Sequence, residues 1–405
     1  VRYQDIRLHD VALHHHSAPL PDVAAKLTRE FASIEGLVKP GKRIAITAGS
    51  RGIGNMALII QTLVSEIHKR DAQAFIVPAM GSHGGATAEG QRAVLHAYGI
   101  TEKSVGAPIV SSMEVDCLGS TEGDPDIPVW MDRAANASDG VIAVNRVKAH
   151  TDFHGTHESG IVKMLAVGLG KHQQAAQMHA YGAAGLRDHI PKVSKKVIES
   201  GKILAALAIL EDGYDNTADL AFATGDDIFS LDSAFLERSR RMMARLPFEE
   251  IDVLVVEQIG KDISGTGMDT NVIGRMGIPG QQDAPPHIRR IVALDITPAS
   301  HGNALGIGLA DITTRKLADR IDWSATNQNV ITSGFLSRGF LPIVMDTERA
   351  AIQLALDTCG CTNADALRMA RIKNTLDLSR AQVSKALLSG LESPRHYGGP
   401  PPFNT

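Results

Sequence analysis

Short β-branched runs alternate with longer amphipathic stretches along most of the chain, a pattern that predicts layered α/β structure. Residues 43–47 (RIAIT) read as a buried strand, followed by GSRGIGN and a helix over 56–70. Residues 74–78 (AFIVP) form a second strand, which leads through MGSHGG to a helix beginning near Thr87. Residues 141–144 (VIAV) run straight into NRVKAHTDFHGTHESG, and 203–209 is a further strand. A helix over 231–246 is ended by Pro247, and residues 251–257 (IDVLVVE) open a new series of strands that includes 291–295 and 341–345. The change near 247–250 predicts an N-terminal α/β domain over 1–248 and a C-terminal α/β domain over 249–390. Residues 391–405, rich in Pro and Gly, read as an irregular tail. Ligands of layered α/β sheets gather beyond the carboxyl ends of the strands, so the active site is expected in the cleft between the two domains.

Composition narrows the classes of function. The 405 residues exceed one domain of roughly 150 and suffice for a sizeable core. Lys plus Arg number 41 against 45 Asp plus Glu, a net charge of −4 that gives no electrostatic reason to expect nucleic acid or an anionic membrane as partner. No apolar run reaches the 18 or so residues of a membrane span, and no secretion signal is recognisable. Three cysteines, Cys117, Cys359 and Cys361, cannot build a disulfide framework, so a reducing cytoplasm is the expected location. Cys359 and Cys361 form a possible soft-metal pair, but without further ligands nearby they read as structural. One feature of the composition is unusual: of 16 histidines, five lie between His150 and His179.

The turn TAGSRGIGN after a strand resembles the glycine-rich phosphate turn of short-chain dehydrogenases. Ala48 stands where the first glycine belongs, and no tyrosine has a lysine four residues on. A nicotinamide-dependent dehydrogenase therefore stands as an alternative carried by one turn. A non-enzymatic metal-binding protein using the histidines, among them His14, His15 and His16, is a second alternative.

A stronger constellation follows the strands. Four strand exits carry polar groups: Arg51, His83, the segment His150–Lys163, and Gln258 with Lys261. Lys163 lies in the nearly apolar stretch SGIVKMLAVGLGKH, where a buried lysine needs a partner, a neutral state or a covalent role. Taken together, SR, GSHG, VKAH, SGIVK and the later histidine resemble the lactate racemase family, whose members use a nickel-pincer nucleotide. Ser159 and Gly160 precede Lys163, Gly168 follows it by five residues and His179 by 16, as in the family pattern. The resemblance implies that Lys163 tethers the cofactor's pyridinium through a thioamide and that His179 ligates nickel. Imidazole suits nickel, and His172 is a rival with the wrong spacing.

The resemblance further assigns an acid/base pair to His83 and His150. His150 lies 13 residues before Lys163, where the family has about ten, so His154 remains an alternative; His157 has no counterpart and reads as structural. Arg51 matches a family arginine, although Gly49 and Ser50 replace the usual acidic and threonine residues before it. Gln258 and Lys261 match a pair from the family's second domain. The implied activity is racemisation or epimerisation of a 2-hydroxy acid by hydride transfer. Arg51 and Lys261 would hold the substrate carboxylate, and cofactor-biosynthesis proteins would be partners.

Overall fold

The computed structural model describes residues 1–50 and 52–391, which divide into two compact units. Among the described residues one comprises His16–Met243; the other comprises Val1–His15 together with residues 244–391. Both are mixed α/β.

Fourteen strands are present among the described residues: β1 (Leu8–Ala12), β2 (Arg43–Ala48), β3 (Gln73–Pro78), β4 (Val115–Ser120), β5 (Pro128–Asp132), β6 (Gly140–Arg146), β7 (Ile203–Glu211), β8 (Thr217–Ala223), β9 (Glu250–Ile259), β10 (His287–Ile296), β11 (Ile312–Thr314), β12 (Ile343–Met345), β13 (Met369–Ile372) and β14 (Arg380–Ser384). In the unit His16–Met243 five of them form a sheet in the order β3-β2-β6-β7-β8. The first four are parallel and β8 returns antiparallel at the edge. β4 and β5 make a separate antiparallel ribbon.

The period of two in these strands is visible in the packing. On β2, β6 and β7, Ala45, Val141, Ala143, Ala206 and Ala208 face one core, while Ile44, Ile46, Ile142, Val144, Leu207 and Ile209 face the other. Both faces are covered by helices, which is why the strands read as nearly continuous apolar runs. The helix Met56–His68 and the helix Ala88–Ala97 each follow a parallel strand. The second is capped by the Thr87 side chain, which accepts from the Gly90 N–H. The Ala-rich run at 203–209 is a strand and extends to Glu211.

The second unit is built on a seven-stranded sheet, β1-β14-β13-β9-β10-β11-β12. Strands β13 to β12 run parallel; β14 and β1 add antiparallel pairs at one edge.

Two boundaries differ from the sequence expectation. Residues 1–15 join the C-terminal unit because β1 pairs with β14, a partner more than 360 residues away that local pattern cannot reveal. The helix expected over 231–246 spans Asp227–Met242, and Met243 has already left helical geometry at φ −59°, ψ 143°. Pro247 therefore lies beyond the helix rather than ending it, and the unit boundary falls at 243/244 rather than 248/249. The tail proposed over 391–405 falls, from residue 392, outside the described residues. Among the described residues no helix is long and apolar enough to cross a membrane.

Candidate active site

Because β3, β2 and β6 are adjacent and parallel, their three exit loops leave the same edge side by side. At this edge of an α/β sheet polar groups can converge without breaking ladder hydrogen bonds.

The first exit carries Gly49 and Ser50. A Cβ on Gly49 would lie 3.3 Å from the Met164 methyl, so the loop packs next to the residue after Lys163. Arg51 lies outside the described residues. Farther along GSRGIGN, the Gly54 N–H donates to Glu211 Oε1 at 2.6 Å. Glu211 in turn pairs with Arg146. An amide that would cradle a pyrophosphate in a dinucleotide turn is thus given to a carboxylate whose charge repels phosphate.

The second exit carries His83. Its Nδ1 lies 2.9 Å from the Met80 carbonyl and 2.7 Å from Ser50 Oγ. A carbonyl can only accept, so the neutral ring carries its proton on Nδ1 and its lone pair on Nε2. Gln91 fixes the loop by donating to the Gly81 and His83 carbonyls at 2.9 and 3.3 Å. Gln91 Oε1 accepts from Lys171 Nζ at 3.3 Å. Lys171 is fully buried, also donates to the Pro78 carbonyl, and lies 3.1 Å from the equally buried Asp132 carboxylate. Burial pushes the Lys171 ammonium below its ordinary value, and Asp132 opposes that shift.

The third exit is organised by Glu158, whose carboxylate is buried. It accepts from the His150 N–H at 2.6 Å and the Gly155 N–H at 3.0 Å, and it pairs with His154 and Arg240. Burial alone would raise this carboxyl; the hydrogen bond from His154 and the charge of Arg240 bring it below the usual range instead.

His150 is 10 % exposed at its side chain and stacks on Phe153, with ring centroids 4.5 Å apart. Its Nδ1 accepts from the Asp152 N–H at 3.0 Å, and its Nε2 meets Lys163 Nζ. Burial above all holds its imidazole well below the ordinary value, with Asp152 opposing.

Lys163 ends a helical turn, Ile161–Lys163, that continues through a π-turn at Met164–Gly168 and on to the helix Lys171–Ala180. π-turns inside helices are frequent at functional sites. Two glycines near the lysine are sterically required. A Cβ on Gly160 would fall 2.1 Å from Asp232 Oδ2, and one on Gly168 would fall 2.9 Å from the Ala79 carbonyl.

His179 lies on the last turn of the helix. Its half-buried ring is held below the ordinary imidazole value above all by burial, with Asp152 again opposing. Its Nδ1 is buried and has no hydrogen-bond partner. A buried imidazole nitrogen left unsatisfied is costly unless it serves something beyond the chain, so the donor fits a metal ligand. Among the described residues no group of three or more His, Cys, Asp or Glu could hold a metal ion. A single imidazole suits a metal whose other ligands come from a bound organic group.

The structure thus brings Lys163 and His150 into contact and puts both, with Asp152, within electrostatic reach of His179. It ties the His83 loop to the start of the His179 helix. His172 is exposed. His154 belongs to Glu158, and His157 to the buried Asp232 at 3.1 Å and to the Phe229 ring. Gln258 and Lys261 lie in the other unit, at and just after the end of β9. Lys261 donates from Nζ to the Gly265 carbonyl at 2.6 Å. His14 and His16 are exposed, and His15 bonds the Leu378 carbonyl. The thiols of Cys359 and Cys361 each meet a backbone carbonyl.

Sequence reasoning overlooked Lys171, Asp132, Gln91 and Glu158. The usable signals were a second lysine in the apolar stretch and a glutamate four residues after His154.

Comparison with known proteins agrees with this architecture. Residues 12–187 match the family model described as the lactate racemase N-terminal domain. The solved structure of the lactate racemase apoprotein from Thermoanaerobacterium thermosaccharolyticum superposes with a TM-score of 0.54 at 12% identity, over 87% of this chain and 91% of that one. No curated protein sequence matches. The chain is therefore an α/β protein with the fold of that racemase. The likeness to the lactate racemase N-terminal domain covers residues 12–187; Glu211, Phe229, Asp232, Arg240, Gln258 and Lys261 lie beyond it.

The buried Lys171–Asp132 pair generates a stability prediction. Lys171→Met should cost about 3–5 kcal/mol, because Asp132 would be left charged and buried. Adding Asp132→Asn, which keeps the acceptor for the Ala135 N–H, should recover most of the loss. Urea unfolding of the two variants checks both statements.

Proposed function

We propose that this protein is a racemase or epimerase of a 2-hydroxy acid that carries a nickel-pincer nucleotide on Lys163. The observation that carries the reading is the grouping of the Lys163 amine, the His150 imidazole and the unsatisfied Nδ1 of His179 within the region that matches the racemase family. Lys163 would hold the nucleotide through a thioamide, and His179 would ligate nickel. When bound, the group supplies an electrophilic ring that stores a hydride and returns it.

The remaining work falls to the chain. One histidine of the pair His83 and His150 takes the substrate hydroxyl proton as the α-hydrogen departs; the other returns a proton when the opposite face is reduced. Imidazoles suit this because their proton affinity lies near neutral pH. The Nδ1–H of His83, held by the Met80 carbonyl, leaves Nε2 as its basic atom. Arg51 would grip the substrate carboxylate as a two-pronged fork, with Lys261 as a point charge and Gln258 as a hydrogen-bonding group. Partners of the chain are then a small hydroxy acid and the proteins that make the nucleotide.

Intact mass spectrometry of protein produced together with the cofactor's biosynthetic enzymes tests the tether. The wild type should carry a nucleotide adduct and Lys163→Ala none; an adduct on the variant would overturn the assignment. In the same preparations His179→Ala should lower nickel stoichiometry well below that of His172→Ala, and equal losses would refute the ligand assignment.

Losing either His83 or His150 should suppress racemisation in both directions by about 10²–10⁴-fold, since a full turnover uses one group as base and the other as acid. His154→Ala should stay near wild type. Polarimetry with each enantiomer of a 2-hydroxy acid panel measures all three, and loss of only one direction would refute the paired roles.

A further inference from the structure

We propose that His150 holds Lys163 as a neutral, nucleophilic amine before any cofactor is attached, through an imidazole tautomer fixed by the backbone of Asp152. The inference rests on the tether reading above and adds a second task for His150, that of preparing the lysine for acylation.

The argument is one of proton counting. The Asp152 N–H points at His150 Nδ1 at 3.0 Å, and an amide N–H only donates, so Nδ1 must hold a lone pair. A neutral imidazole carries one proton, which therefore resides on Nε2. That N–H faces Lys163 Nζ. An ammonium has three donors and no acceptor, so it cannot receive this hydrogen bond, whereas an amine can. The backbone thus dictates the imidazole tautomer, and the tautomer dictates the state of the lysine.

The surroundings act in the same direction. Glu158 anchors the loop through the His150 backbone N–H and Phe153 stacks on the ring; turning the ring over would forfeit the hydrogen bond from the Asp152 N–H. Lys148 and His179 add repulsion to positive charge at His150. The opposing group is the Asp152 carboxylate, whose nearer oxygen lies 3.8 Å from Nδ1, beyond hydrogen-bonding distance. His179 reaches the pair through its charge and forms no hydrogen bond with either member.

Acylation then has a structural consequence. The Nζ lone pair would attack the carbon of a thiocarboxyl group, the C–O bond would break with its electron pair, and the oxygen would leave as water with one proton taken from the nitrogen, so that the sulfur stays in the thioamide. The product nitrogen is an N–H donor whose lone pair is delocalised, so it no longer accepts from His150. The His150 Nε2–H loses this partner, so cofactor attachment changes what His150 hydrogen-bonds.

Competitive labelling with acetic anhydride tests the proposal on protein made without the cofactor's biosynthetic enzymes, from pH 6 to 11, with peptide mass spectrometry as the readout. Each lysine is normalised to its own labelling at pH 11, and the exposed Lys39 and Lys103 serve as references. Near pH 7.5 Lys163 should be labelled at least about tenfold more than either, since one pKa unit is tenfold in the amine fraction. His150→Ala, shown to be folded by thermal unfolding, should abolish that advantage. A wild-type Lys163 that tracks Lys39 and Lys103 overturns the proposal, even if the variant does not fold. An advantage that survives in folded His150→Ala overturns the role of His150. An ordinary Lys163 in a protein that still acquires the nucleotide adduct ends this inference alone; an activated Lys163 that never acquires it ends the cofactor reading alone.

Discussion

The parallel registration of β3, β2 and β6 is the constraint on which the site depends. Strands paired in this way must all point one way, and their connecting helices return on the faces. Every strand exit is thereby delivered to one edge, where the backbone is irregular and its polar groups can be satisfied by side chains. Ser50 reaching His83 across two exits shows the consequence at the level of single atoms. The glycines of this region serve the same convergence: Gly168 lets the lysine-bearing helix approach the Ala79 carbonyl, and Gly160 makes room for Asp232.

Two buried acid–base knots hold these exits in place. Lys171, Asp132 and Gln91 join the end of β3 and the His83 loop to the helix that carries His179. Glu158, with Arg240 and His154, fixes the loop that carries His150. Ion pairs this deeply buried gain little net stability against desolvation, and their value lies in geometry: breaking one leaves a stranded charge, so the arrangement that satisfies both partners is strongly preferred. The histidines of the two strand exits are thus placed by buried ion pairs around them.

The pair of Lys163 and His150 shows how backbone geometry reaches chemistry. One amide N–H, that of Asp152, selects an imidazole tautomer, and the tautomer determines whether its neighbour can be charged. In the proposed state the backbone amide, not a side-chain carboxylate, sets the tautomer that would keep the lysine unprotonated.

The sequence by itself determined the local elements and the chemistry of individual positions. Nearly continuous apolar runs at Arg43–Ala48, Gly140–Arg146 and Glu250–Ile259 announce buried strands because both faces of each are covered. The spacing of Ser159, Gly160, Lys163, Gly168 and His179 was legible because that segment is one nearly continuous helical stretch, in which sequence separation fixes spatial separation. What only the tertiary structure decided is long-range. The pairing of β1 with β14, the partnership of Lys171 with Asp132 and the anchoring of Glu158 by Arg240 join residues 39 to more than 360 positions apart. Their sequence signals are weak because a buried charge is specified by whichever partner the fold brings to it. The choice between His150 and His154 as the neighbour of Lys163 was of this kind. Both lie in one irregular loop, and it is the capture of His154 by Glu158 and the stacking of His150 on Phe153 that put His150 against the lysine.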